Sequence, residues 1–213
     1  MTRKAEYLTA ELIEKWKEQF LHDKIRRQPF SISDSALLVV DMQNYFLDEK
    51  SHAFIPAGRT ALPNIQNLIS KFRDTNRPII FTYFGVKDNE PDPIERWWGE
   101  SIKNGSRESR IISELEPRKD DLIIRKPTYS SFNDTVLETF LQANNAKNLV
   151  ISGVMANLCC EMAAREAFVR DFNVFFVMDA TATQNEELHE ATIKNLSHGF
   201  ATPMLTMDFD ISR

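Results

Sequence analysis

Asp41, Lys126 and Cys159 each close, or lie just beyond, an apolar run, and between them they supply a carboxylate, an amine and a thiol. The thiol has the most nucleophilic character of the three. It lies in the stretch Leu-Val-Ile-Ser-Gly-Val-Met-Ala-Asn-Leu-Cys-Cys-Glu-Met-Ala-Ala-Arg-Glu-Ala-Phe, 149–168. Leu149 to Ile151 reads as a strand buried on both faces, and beyond Cys159 the residues Met162, Ala163 and Ala167 recur at helical spacing. Strand, sharp turn and helix place Cys159 at or near a first helical turn, where unpaired N–H groups and the dipole favour an anion. A thiol there is expected to lose its proton more readily than a free cysteine, and a thiolate attacks carbonyl carbon. Cysteine as a type is usually a small buried hydrophobe, so it is the position that makes Cys159 the candidate nucleophile.

The elements that must position these groups follow from periodicity. Residues 8–21 carry Leu12, Ile13, Trp16 and Phe20 at helical spacing, an amphipathic arm (residues 1–34 with its polar connection) whose apolar stripe must dock on the body or on another subunit. Strands are expected at Ala36–Val40, Ile79–Tyr83, Leu122–Arg125, Leu149–Ile151, Val174–Met178 and Pro203–Met207. Helices are expected over Leu62–Phe72, after Phe132 with Phe132, Val136, Leu137, Phe140 and Leu141 inward, from Cys159 to about Asp171, and from Glu186 to His198. Alternating strands and helices predict an α/β fold: a three-layer αβα sandwich around a six-stranded, mostly parallel sheet in Rossmann-type order. Ligands in such sheets bind outside the carboxyl ends of the strands, and Asp41, Lys126 and Cys159 all fall at that edge. A carboxylate such as Asp41 at the end of a buried strand is costly unless hydrogen-bonded or used. The long polar insertion from Gly85 to Asp121, with Trp97 and Trp98, reads as a lid whose tryptophans pack a core. Its cations Lys87, Arg96, Arg107 and Arg110 read as solvated surface charge.

Several function classes are disfavoured. The net charge is −5 with no basic stripe, which offers nucleic acid no electrostatic footprint. No apolar run reaches the length of a membrane span. Six glycines form neither GxGxxG nor GxxxxGK, and no GxSxG elbow occurs. The two cysteines are adjacent and make no disulfide framework, and the N-terminus lacks a secretory core, so a cytoplasmic location is expected. No CxxC or His/Cys cluster suggests zinc, and His22, His52, His189 and His198 are read as surface or helix-face residues. At 213 residues the chain reads as one domain.

Three segments, Val-Val-Asp-Met-Gln-Asn-Tyr-Phe (39–46), Arg-Lys-Pro-Thr-Tyr-Ser-Ser-Phe (125–132) and Ser-Gly-Val-Met-Ala-Asn-Leu-Cys-Cys (152–160), resemble in order and spacing the signature blocks of the isochorismatase-like hydrolases. The likeness runs from about residue 30 onward. The arm and residues 160–171 look most like the true isochorismatases of siderophore and phenazine pathways. The resemblance implies Asp41 as general base, Lys126 as its cationic partner and Cys159 as nucleophile. It also implies a cis peptide between Val154 and Met155, with N–H groups of Met155 and Cys159 as an oxyanion hole. Phe46, Phe84, Trp98, Tyr129 and Ser131 are expected around the substrate, and Cys160 in packing.

The chain departs from the isochorismatase pattern in carrying Cys159 where those enzymes have glycine, Phe84 where they have glutamine and Met155 where they have tyrosine. The Asp-x-His metal site of nicotinamidases has no counterpart after Asp41, since Asp48 and His52 are misplaced for it. The expected activity is therefore cleavage of a small non-peptide C–N bond in an amide or carbamoyl compound through a thioester, with no cofactor or metal. The alternatives are vinyl ether hydrolysis of isochorismate and a catalytically silent binding module with a vestigial triad. A small-molecule substrate and a homodimer or higher homo-oligomer are expected as partners.

Overall fold

The computed structural model describes residues 4–21 and 29–209; His22 and part of the arm's polar connection lie outside them. Helix α1 (Ala10–Phe20) is followed by strand β1 (Ser35–Val40), helices α2 (Asn44–Leu47) and α3 (Pro56–Asp74), strand β2 (Ile79–Phe84) and helix α4 (Pro93–Trp98). Then come β3 (Leu122–Lys126), α5 (Leu137–Ala143), β4 (Asn148–Val154), α6 (Glu161–Phe168), β5 (Asn173–Ala182), α7 (Glu186–Gly199) and β6 (Thr202–Met204). The six strands form one sheet in the order β3-β2-β1-β4-β5-β6, and every neighbouring pair is parallel.

The sheet is parallel because each connection passes through a helix that covers a face. Helix α3 lies on β1, β4 and β5, burying Leu62, Ile65, Leu68, Ile69 and Phe72, each worth roughly 1.5–3 kcal/mol. Helices α6 and α7 pack on one another and on β5; right-handed crossovers put them on the opposite face. β1 and β4, buried along their whole length, form the centre. Their closeness depends on Gly153, whose φ is 112° and at which a Cβ would stand 2.1 Å from the Val40 carbonyl oxygen. Only glycine can occupy that position.

Helix α1 starts at Thr9, whose hydroxyl accepts the Leu12 N–H at 3.2 Å. Its stripe docks on its own chain: Leu12 and Trp16 are buried, and the Trp16 ring meets the His189 ring edge-on at 4.7 Å. His189, expected as a surface or helix-face residue, lies on the face of α7 that α1 covers and is fully buried.

Other boundaries move for local reasons. Val136 is 58% exposed instead of inward, since α5 begins one residue later. The last strand stops at Met204, where Asp179 Oδ1 accepts both the N–H and the hydroxyl of Thr206 at 2.9 Å and starts a 3-10 turn. The 85–121 insertion is ordered, with Phe84, Val86 and Ile102 in a small core against Tyr45, Phe46 and Ile94. Trp97 and Trp98, expected to pack a core, are 78% and 48% exposed instead, on a short helix with no buried residue.

Candidate active site

β1 and β4 flank the point where strand order reverses, the place where parallel sheets open a crevice. Asp41 leaves β1 with φ 48°, a left-handed turn that swings the chain off the strand. Its carboxylate is fully buried and held on both sides: Thr82 donates its hydroxyl to Oδ1 at 2.8 Å, and Lys126 Nζ stands 2.7 Å from Oδ2. Lys126, the last residue of β3, reaches across β2 to make that contact, its ammonium 5.8 Å from the centre of the Phe84 ring. It also donates to the Thr128 carbonyl at 2.9 Å and lies 3.3 Å from Cys159 Sγ. One ammonium thus bridges a carboxylate and a sulfur that are 118 positions apart in the sequence.

The cysteine does not begin an α-helix. Ala156–Cys160 form a π-type turn, and α6 starts only at Glu161. The Leu158 and Cys160 N–H groups both donate to the Met155 carbonyl, at 3.1 and 3.2 Å, and the second bond spans five residues. Wide turns of this kind recur at functional sites. The Val154–Met155 peptide is cis. Cys160 is fully buried, one step round from the site.

The electrostatics correct the expectation of a lowered thiol pKa. Burial pushes the Cys159 thiol up to about 12, with Lys126 pulling it back and Asp41 adding to the rise. Desolvation outweighs the turn's dipole because the sulfur is almost wholly enclosed. Burial also penalises the Lys126 ammonium, yet Asp41 and Cys159 together hold its pKa above the ordinary lysine value. The arrangement is a Lys126–Asp41 ion pair beside a thiol that burial pushes toward its protonated form. Passing the thiol proton to Asp41 keeps the net charge of the enclosure constant, so the transfer needs no counterion from solvent.

Of the expected pocket residues, Phe84 is buried below the Lys126 ammonium, and Tyr129 is half-buried and accepts the Trp98 indole N–H at 2.6 Å. Tyr129 is close enough for both Cys159 and Lys126 to act on its phenol, whose pKa is raised chiefly by burial. Phe46 packs against the small core under the insertion. Ser131 is fully enclosed, and its hydroxyl has no partner among the described residues. The cations Lys87, Arg96, Arg107 and Arg110 are exposed, and Arg107 pairs with Asp48. His52 pairs with Glu100. Among the described residues no group of three His, Cys, Asp or Glu is arranged to hold a metal.

Two contributors escaped the sequence reading. Thr82 interrupts the otherwise apolar Ile79–Phe84, and a hydroxyl near the end of a buried strand was the available signal. Gln43 is buried two residues after Asp41; its amide donates to the carbonyls of Phe84 and Ser109 at 2.8 and 3.0 Å and accepts the Phe84 N–H at 2.9 Å. It ties the insertion to the floor of the site.

Known proteins resemble this chain in sequence and in fold. Residues 35–208 match the isochorismatase domain family. Over 171 residues the chain is 42% identical to Nicotinamidase 3 of Arabidopsis thaliana, covering 78% of this chain and 82% of that protein. It is 32% identical to the isochorismatase of Bacillus subtilis over 174 residues, which span 81% of this chain but only 55% of the relative. The crystal structure of N-carbamoylsarcosine amidase from Thermoplasma acidophilum superposes with a TM-score of 0.72 at 27% identity, over 81% of this chain and 96% of that one.

Proposed function

Because the chain belongs to the isochorismatase family and is a hydrolase, we propose that it cleaves a small non-peptide C–N bond, in an amide or carbamoyl compound, through a thioester on Cys159. The observation that carries this reading is the bridging ammonium, with Lys126 Nζ 2.7 Å from Asp41 and 3.3 Å from Cys159 Sγ. A sulfur in that position can serve as a covalent nucleophile, which hydrolysis of a vinyl ether does not require. The names of two relatives, a nicotinamidase and an N-carbamoylsarcosine amidase, point to the same bond type.

In this mechanism Asp41 takes the thiol proton as Sγ attacks the carbonyl carbon, and Lys126 stabilises the sulfur as it becomes anionic. The carbonyl oxygen becomes an oxyanion held by the N–H groups of Met155 and Cys159 at the π-type turn. Collapse breaks the C–N bond, and the leaving nitrogen takes the proton from Asp41. Asp41, again a carboxylate, then deprotonates water. That water attacks the thioester, releasing the acid and returning the proton to sulfur.

The test is a panel of small amides, carbamates and ureas, nicotinamide among them, read by ammonia release. Cys159→Ala is expected to fold and to lose roughly 10³-fold or more in turnover, and mass spectrometry of a slow substrate should find an acyl adduct on Cys159. Full activity in Cys159→Ala would defeat the proposal. Pyruvate release from isochorismate that needs Asp41 and survives loss of the thiol would assign the site to vinyl ether hydrolysis instead. A Cys159 that resists alkylation, in a protein inert to both substrate classes, would identify a silent binding module.

A further inference from the structure

The segment before α1 runs along the carboxyl edge of the sheet. Lys4 Nζ donates to the His52 carbonyl at 2.7 Å, Thr60 donates to Glu6 at 3.1 Å, and the Ala5 N–H reaches the Gln184 carbonyl at 3.2 Å. In its middle Tyr7 points inward and is buried. Its hydroxyl contacts His189 Nδ1 at 2.9 Å and accepts the Thr183 N–H at 2.9 Å. The Thr183 hydroxyl donates to Asn157 Oδ1, and Asn157 sits in the π-type turn two residues before Cys159. The register explains the reach: Val154 pairs with Ala182, so Thr183 lies beside the start of the cysteine turn.

Only one direction of hydrogen bonding satisfies this chain. Thr181 donates its hydroxyl to the Val177 carbonyl at 3.0 Å, so its oxygen accepts from His189 Nε2 at 3.0 Å. Nδ1 is then the bare nitrogen and takes the Tyr7 proton, which leaves the Tyr7 oxygen to accept from Thr183. In the reverse sense the Tyr7 proton has no acceptor among the described residues. The imidazole, pinned at both nitrogens and covered by Trp16, thereby fixes the Tyr7 hydroxyl.

We propose that Tyr7 is a positioning residue for the nucleophile: through Thr183 and Asn157 it sets the cysteine turn, and with it the aim of Cys159 and of the N–H groups around it. The arm before the sheet is thus a working part of the site. This rests on Cys159 being the nucleophile proposed above.

The experiment compares intact wild type with Tyr7→Phe, Thr183→Val, Thr183→Ser and the Tyr7→Phe/Thr183→Val double variant. Two readouts are used: alkylation of Cys159 by iodoacetamide, located by mass spectrometry, and kcat and KM on whichever amide the panel identifies. Tyr7→Phe is expected to lower kcat and the alkylation rate roughly tenfold with KM little changed, as for a misaimed group. Thr183→Val should match it, the double variant should be no worse than the poorer single variant, and Thr183→Ser, which keeps the hydroxyl, should restore most of the rate. A purely structural Tyr7 would move the urea midpoint and leave kcat and alkylation of the folded protein unchanged; that result, or additive losses in the double variant, overturns the proposal alone. If Tyr7→Phe fails to fold, Thr183→Val against Thr183→Ser makes the same comparison, and equal rates overturn it. An unreactive wild-type Cys159 overturns this inference together with the proposed function.

Discussion

Lys126 and Asp41 form an ion pair 2.7 Å apart in which neither side chain has any solvent exposure. Removing one member leaves an uncompensated buried charge, which costs about 3–5 kcal/mol, whereas replacing both with neutral groups of similar shape costs far less. Urea denaturation should show Lys126→Met strongly destabilised and the Lys126→Met/Asp41→Asn double variant recovering most of that loss while staying inactive. Additive losses in the double variant would show that the two groups are not coupled.

The raised Cys159 thiol predicts the pH dependence of its chemistry. With the thiol pushed up to about 12, the thiolate fraction is small at neutrality and grows with pH across the whole accessible range. The alkylation rate of Cys159 should climb up to about tenfold per pH unit between roughly pH 7 and 10 without levelling off. A plateau beginning near neutrality would mean that Lys126 prevails over burial.

His189 has its pKa shifted the other way, downward, and gives a stability signature. Burial drops its pKa from 6.5 to about 3, so the fold holds it neutral while the unfolded chain titrates near the ordinary value. Its contribution is fully present above pH 6.5 and declines as pH falls toward about 3, by up to about 1.4 kcal/mol per pH unit. Unfolding curves at several pH values should show wild type losing ground to His189→Gln as the medium is acidified below 6.5; parallel pH profiles for the two proteins would refute this.

Two glycines with positive φ should respond very differently to alanine. Gly99 ends α4 with φ 82° and open space around its Cβ position, so Gly99→Ala should cost only about 1 kcal/mol of left-handed strain. Gly153→Ala drives a methyl into the Val40 backbone and should cost more than about 4 kcal/mol or abolish folding. Thermal melts of the pair decide it, and similar melting temperatures would count against the tight β1–β4 approach.

The sheet was legible in the sequence because buried parallel strands are unbroken apolar runs and the helices between them are amphipathic, so period and length separated the two. Asp41 and Lys126 could be picked out because each puts a charge where an apolar strand ends, and Cys159 because it follows a buried strand across a sharp turn; the isochorismatase-like blocks around them carried the family. Val136, Trp97 and Trp98 misled for a common reason: apolar character was taken for burial, and short helices on the rim bury little.

What the sequence determined by itself is the set of elements and the edge at which its reactive groups emerge, since both follow from local periodicity and from one connectivity rule. Tertiary structure alone decided which groups meet. Thr82 reaches Asp41 because β2 lies beside β1, His189 is buried because α1 covers it, and the Cys159 thiol is pushed toward its protonated form because the enclosure removes water. Such contacts and desolvation energies depend on what packs across the gap between distant segments, and no local pattern records the neighbour.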